Sequence, residues 1–319
     1  MPGVTVILTT LNSERYLVRS ITSCLEQTYS DFELIVVDGG STDRTLEIVA
    51  SFDDPRIRVV HQQENSGKLP GALNLGMAES RGQYITWTQD DCWYERRAIQ
   101  TMVEYLEAHP DAGLVYTDYW IVDEQGSQTG YHRVRPPELV STEDVVQVCF
   151  LFRRGVYETV GPQDPRYHPV HEVPWRAEVA RHFRIAPLHT PLMAYGVHAG
   201  SLTGRIGGWE LGRMTAQALH DTGTIDAEEL VRRLRHIDLD EGYADLVFRG
   251  EYASFRRRFL RGAWQDARVR RNLGLWKLFV QSLLPGRERT RGKLEAEWLQ
   301  READRQAEWI AAAQSVDGA

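Results

Sequence analysis

The chain has 319 residues, 42% of them apolar and 26% charged, which excludes a disordered or fibrous protein and leaves room for one large α/β domain with an appendage, or two modest domains. A formal charge of −8 argues against the whole molecule being a nucleic-acid binder. Cys24, Cys92 and Cys149 form no CxxC pair, no apolar run reaches the ~18 residues of a spanning helix, and an apolar stretch begins within three residues of Met1, so the expectation is a soluble cytoplasmic protein.

Residues 4–9 are β-branched and apolar nearly throughout, as in a strand buried on both faces of a parallel sheet. Asn12 is the predicted cap of a following helix marked by Tyr16, Leu17, Ile21 and Leu25. Residues 32–37 give a second buried strand ended by Asp38-Gly39-Gly40-Ser41, and Thr42 or Asp43 opens a helix through Leu46, Ile48 and Val49. A third strand at 57–60 precedes a helix carrying Leu73, Leu75 and Met77. A fourth, at 84–88, runs straight into Gln89-Asp90-Asp91. Strands alternating with helices at this interval mean βαβ crossovers and a mostly parallel, Rossmann-like sheet flanked by helices. Such sheets bind ligands beyond the carboxyl ends of their strands, the edge on which Asp38, Asp90 and Asp91 would all sit.

The pattern then loosens. Residues 114–119 read as a strand, Asp123-Glu124-Gln125-Gly126 as a tight turn, and prolines at 136–137 and 162–174 as loops. After about Arg205 the chain becomes helical, with a capped start at Asp226 and a terminal amphipathic helix over 294–313 that carries Trp298 and Trp309. No internal repeat recurs at a fixed period.

Two adjacent acids at a strand end suit a divalent metal that bridges a diphosphate. The plainer alternative is a solvated turn, one Asp capping a helix that starts near Glu95. Asp38 and its glycines equally allow a simple turn with a cap, or close approach of a ligand to backbone at a helix N-terminus that favours an anion. No GxGxxG follows any strand, which weakens a dinucleotide oxidoreductase reading.

Four segments together resemble the family 2 glycosyltransferases of GT-A fold, in the form seen in the spore-coat glycosyltransferase subgroup. They are residues 4–12, residues 32–43 around Asp38-Gly39-Gly40-Ser41, Gly71-Ala72-Leu73-Asn74-Leu75-Gly76, and residues 82–91 ending in Asp90-Asp91. The resemblance implies a GT-A domain over 1–204, with a nucleotide-sugar donor half at 1–112 and an acceptor half at 113–204; the helical C-terminal region at 205–319 lies beyond it. Thr9, Asn12 and Asp38 would line the nucleotide pocket, Asp90 would contact the ribose, and Asp91 would ligate Mn²⁺ or Mg²⁺. Lys68 would meet the diphosphate, and His198 in Tyr195-Gly196-Val197-His198 would complete the metal shell or bind phosphate. The resemblance favours a UDP-sugar, with GDP- or dTDP-sugars beside it; Gly39 stands where close relatives carry an acid that reads uracil, which leaves the donor base open.

Such enzymes invert the anomeric centre by direct displacement. Glu172, in His171-Glu172-Val173-Pro174-Trp175-Arg176, is the matching base, with His171 as the alternative and a plain helix start as the ordinary reading of both. Asp164 reads as a turn residue. The acceptor would be a glycan or a lipid-linked glycan, in polysaccharide or glycoconjugate synthesis. A nucleotidyltransferase making nucleotide sugars and a catalytically degenerate scaffold are the other readings. The former lacks its Gly-rich phosphate loop, since Leu11-Asn12-Ser13-Glu14 follows the first strand.

Residues 256–293 hold twelve Lys/Arg against two Asp/Glu, a net of +10 in an acidic chain, interleaved with apolar side chains. That composition suits the inner face of an anionic membrane, or a helix packed on the catalytic domain with solvated arginines. It would serve a homodimer equally well.

Overall fold

The structure is a computed structural model and describes residues 2–62, 69–141, 144–198, 201, 205–284 and 287–316. It divides into two compact units. One ends at Ile206 and takes in the chain from Trp309; the other runs from Gly207 to Glu308.

The first unit is built on β1 (Val4–Thr10), β2 (Phe32–Asp38), β3 (Ile57–His61) and β4 (Tyr84–Gln89), paired in parallel in the order β3-β2-β1-β4. The later strands are β5 (Cys92–Tyr94), β6 (Ala112–Val122), β7 (Gln128–His132), β8 (Phe150–Arg153) and β9 (Arg184–Gly196). They extend the sheet as β8-β6-β9-β5, with β7 on β6. β8 enters antiparallel to both β4 and β6, so the sheet is mixed beyond β4. The helices are α1 (Leu17–Leu25), α2 (Thr45–Ser51), α3 (Leu69–Glu79), α4 (Ala98–Ala108), α5 (Arg154–Val160) and α6 (Glu172–His182).

Alternation along the central strands feeds two cores. Val4, Val6 and Leu8 join Leu17 and Ile21 of α1 and Met102 of α4, while Ile7, Ile85 and Trp87 join Leu73 and Met77 of α3 and Trp175 of α6. A strand apolar on both faces is therefore covered on both faces, which is why β1, β2 and β4 stand out in the sequence. All three cysteines lie buried in the first core as free thiols, and burial pushes Cys24 and Cys149 up to about 12 and Cys92 well above its usual range.

Asn12 does not cap α1. It sits at φ +53° and its Oδ1 accepts the Thr42 N–H at 2.8 Å, tying the loop after β1 to the loop after β2. Tyr16 occupies the cap position without a side-chain hydrogen bond, and the Ser13 carbonyl accepts the Leu17 N–H. The expected start of a helix near Glu95 falls instead at Ala98, because Cys92–Tyr94 is drawn into β5 by pairing with β9. Asp43 accepts the Thr45 N–H at 3.0 Å at the head of α2. Asp123 closes its turn by accepting the N–H groups of Gln125 and Ser127, and Asp164 does so with Arg166.

The second unit is helical: α7 (Gly208–Asp221), α8 (Ala227–Ala244), α9 (Tyr252–Gln265), α10 (Ala267–Arg271), α11 (Leu273–Gln281) and the part of α12 (Arg287–Val316) up to Glu308. Asp226 caps α8 by accepting the Glu229 N–H at 2.8 Å. Leu246, Tyr252, Phe255, Phe259, Ala263 and Val269 form its core. Among the described residues no helix is long and apolar enough to cross a membrane.

Candidate functional site

β1 and β4 pair in parallel with Thr9 opposite Gln89, so both chains leave the sheet at one level. The Asp90 side chain then meets the loop after β1: its Oδ2 accepts the Ser13 hydroxyl and, at 3.4 Å, the Leu11 N–H. Burial raises this carboxyl to about 6. The Ser13 hydrogen bond opposes that rise and the charge of Asp91 adds to it.

Asp91 faces the end of β9. Its Oδ2 lies 3.1 Å from His198 Nε2, and its Oδ1 accepts the Cys92 thiol at 3.3 Å. The approach depends on Gly196, where a Cβ would stand 2.4 Å from the Asp91 carbonyl oxygen. The His198 ring leans on Tyr16, centroids 4.8 Å apart.

These groups open on a cavity of about 300 Å³ whose other walls include Arg15, Arg19, Trp93, Asp123 and Glu124. Arg19 lies 4.5 Å over the Trp93 ring, and Arg15 pairs with Glu124 at 2.7 Å across the rim. Asp90, Asp91 and His198 are thus brought together by β4 and the end of β9.

Thr9, Asn12 and Asp38 are not among the residues that line this cavity. Thr9 is buried in the sheet. Asp38 is 2% exposed, and its carboxylate accepts the N–H groups of Gly40 (3.2 Å) and Ser41 (3.1 Å) while His61 Nδ1 stands 3.6 Å away. That is the geometry of a turn closed by its own acid. Asn12 is spent on Thr42, and Lys68 lies outside the described residues.

A second polar cluster occupies the face of β4 that carries Trp87. Glu172, the first residue of α6, accepts the Trp87 indole N–H on Oε1 at 2.8 Å and meets Arg176 with Oε2 at 3.1 Å. Arg176 is 2% exposed; it binds both oxygens of Asp144 at 2.7 and 2.9 Å, donates to the Gln147 carbonyl at 2.5 Å, and lies over the Phe150 ring. A buried guanidinium requires such partners. Burial raises the Glu172 pKa, as does the charge of Asp144, against the opposing pull of Arg176 and Trp87. His171 is 1% exposed and is pushed down to about 3 by burial first, then by His168 and Arg176, so its imidazole is neutral. Trp87 stands three positions before Asp90, roughly 10 Å along the strand.

The sequence reading gave no site role to Ser13, Tyr16, Trp87, Asp144 or Arg176. Trp87 carried a usable signal: a tryptophan inside a fully buried strand needs an acceptor for its indole N–H. Asp144 and Arg176 carried none as partners, because their pairing joins positions 32 residues apart, across β8 and α5.

The family model described as Glycosyl transferase family 2 matches residues 5–161. Through that stretch the chain belongs to glycosyl transferase family 2. The family 2 stretch contains Trp87, Asp90 and Asp91, whereas Glu172 and His198 lie beyond it. Among similar proteins, glycosyltransferase GlyG of Streptococcus pneumoniae is 37% identical over 123 residues, 38% of this chain and 40% of GlyG. A PGL/p-HBAD biosynthesis glycosyltransferase of Mycobacterium bovis is 29% identical over 170 residues, 52% of this chain and 65% of the relative. The chain thus spans between two fifths and two thirds of the length of these relatives. Among solved structures, S. aureus TarS 1–349 in complex with UDP-GlcNAc aligns with a TM-score of 0.58 at 16% identity, over 93% of this chain and 91% of that one. The mannosyltransferase PcManGT from Pyrobaculum calidifontis, in complex with GDP-Man and Mn²⁺, aligns with a TM-score of 0.62 at 18% identity, over 98% and 86%. The fold is GT-A, with a helical C-terminal part.

Gly196→Ala should cost about 1–3 kcal/mol by forcing β9 off Asp91, read as a fall of several degrees in Tm. An unchanged Tm would mean that the strand end yields freely. Because the folded state holds the Asp90 proton up to about pH 6, ionisation of this group lowers stability as pH rises from about 4 to about 6. Asp90→Asn removes that loss, so the variant should gain on the wild type across this window and stay more stable above it, as denaturant midpoints at several pH values would record.

Proposed function

We propose that the protein is a glycosyltransferase that takes a sugar from a nucleoside-diphosphate donor and passes it, with inversion, to a hydroxyl of a glycan or lipid-linked acceptor. The observation that carries this reading is the cavity at the end of β4, where Asp90, Asp91 and His198 converge within a family 2 fold. TarS with UDP-GlcNAc and PcManGT with GDP-Man support a nucleotide-sugar donor by likeness of fold. The absence of a Gly-rich phosphate loop after β1 disfavours a nucleotidyltransferase.

A divalent cation fits the residues present. Among the described residues no three His, Cys, Asp or Glu side chains gather as a metal cluster. Mg²⁺ commonly takes only one or two protein ligands and fills its shell with water and substrate phosphates. Asp91 and His198 would be those two. Their facing atoms lie 3.1 Å apart, close to the spacing of roughly 3.0 Å between neighbouring ligands of an octahedral ion at about 2.1 Å. Bound there, Mn²⁺ or Mg²⁺ would neutralise the charge of the departing diphosphate.

The chain's own groups do the rest. Asp90, as a carboxylate, would accept ribose hydroxyls in place of Ser13, and Arg15 and Arg19 put positive charge beside the diphosphate. Glu172 would take the proton of the acceptor hydroxyl: Trp87 and Arg176 fix both of its oxygens, and burial moves its pKa upward, toward that of an effective base. Arg176 and Asp144 would act as positioning residues for this carboxylate.

Asp91→Ala should remove Mn²⁺-dependent binding of UDP-GlcNAc or GDP-mannose in calorimetry while the fold persists. Wild-type affinity in that variant rejects the site. Glu172→Gln should leave donor affinity within a few-fold and lower kcat by about 10²- to 10⁴-fold. If turnover survives at the wild-type rate, the proton goes elsewhere.

A further inference from the structure

The helical unit carries two stripes in which basic and apolar side chains alternate and point to solvent. On α9, Arg257, Leu260, Arg261 and Trp264 fall at i, i+3, i+4 and i+7, opposite the buried Phe255, Phe259 and Ala263. On α11, Leu273, Lys277 and Val280 fall at i, i+4 and i+7. Trp264 ends the first stripe and Leu273 begins the second, so both run into the turn that holds α10. Trp264 is 80% exposed and Leu273 82%, against 49% for Leu260 and Val280. The other large aromatic side chains that stand exposed among the described residues, Phe248 and Trp298, are only 39% and 43% exposed, so Trp264 is far barer than either.

The charges on these stripes are also uncommitted. Several arginines of α7 to α9 are paired: Arg213 and Arg258 with Glu241, Arg258 also with Asp238, and Arg232 and Arg233 with Glu229. Arg257, Arg261, Arg268, Arg271 and Lys277 have no acidic partner among the described residues, and no acid lies on either stripe. Asp266, the one acid in the turn, caps α10 by accepting the Arg268 N–H at 2.7 Å.

We infer that this end of the helical unit docks on an anionic lipid surface, with Trp264 and Leu273 entering the headgroup boundary and the five cations meeting lipid phosphates. An exposed apolar pair within unpaired positive charge suits that surface, where apolar burial and electrostatic attraction add. A protein interface built on the same residues would call for carboxylates facing the arginines, and base stacking would need the tryptophan inside a groove. The inference stands independently of the transferase reading, since it concerns none of the residues of the cavity or of the Glu172 cluster.

The test is sedimentation of the full chain with vesicles of phosphatidylcholine, alone or mixed with phosphatidylglycerol. Binding should require phosphatidylglycerol and fall as salt rises. Arg257→Gln with Arg261→Gln should weaken it about 30-fold, from about 1 kcal/mol per cation. Trp264→Ser with Leu273→Ser should weaken it about tenfold through lost apolar burial, with UDP-GlcNAc affinity and Tm unchanged. Failure to bind mixed vesicles, or binding indifferent to Trp264 and Leu273, overturns the inference. It is overturned equally if the chain sediments as a dimer that Trp264→Ser with Leu273→Ser dissolves, which assigns the surface to a second copy. Tighter binding to duplex DNA, untouched by those two substitutions, would assign it to nucleic acid.

Discussion

The register between β1 and β4 governs the site. Seven residues of β1 and six of β4 run in parallel with Thr9 opposite Gln89, so the loop after β1 and the acids after β4 emerge together. Side chains alternate along a strand, and a slip of one position would exchange the two faces of β4. Trp87 would then turn toward α1 and lose Glu172, while Asp90 would turn away from Ser13 and Leu11. Both polar clusters descend from one ladder of backbone hydrogen bonds, protected because each face of β4 packs into a core.

The two clusters solve different electrostatic problems. Asp90 and Asp91 are neighbouring acids at a half-open edge, and one is held by hydroxyl and amide donors while the other meets an imidazole. Around Arg176 the problem is reversed: a cation within the core is matched by two carboxylates, one of them Glu172. Taking such a cation out of water is costly, and its partners recover that cost only in good geometry. The carboxylate of Glu172 is thereby fixed in direction by the same contacts that let it be buried.

Much of the donor half was legible because its strands are buried on both faces, so residues 4–9, 32–37 and 84–88 read as unbroken apolar runs. The acids at 90–91 were legible as the end of such a run. β5 was not: three residues become a strand only by pairing with Met193, Ala194 and Tyr195, about a hundred positions later. Asn12 misled for a different reason. A residue type that caps helices also tolerates positive φ and bridges loops, and its bond to Thr42 was decided by the neighbouring strand rather than by its own sequence. Glu172 was found through the resemblance alone; Trp87 announced only that its indole needed an acceptor, and that Glu172 meets it there, itself held by Arg176, is a matter of packing that no local pattern encodes.

The three thiols bear on how the domain withstands its surroundings. Each is sealed in the core between the sheet and α1 and α4, and burial suppresses the thiolate on which oxidation and exchange depend. No two of them are joined, and none is a nucleophile at neutral pH. Reaction with peroxide or a disulfide must therefore wait for the core to open, so the redox potential of the medium acts on this domain only through its rate of unfolding. Cysteines of this kind report on the integrity of the fold.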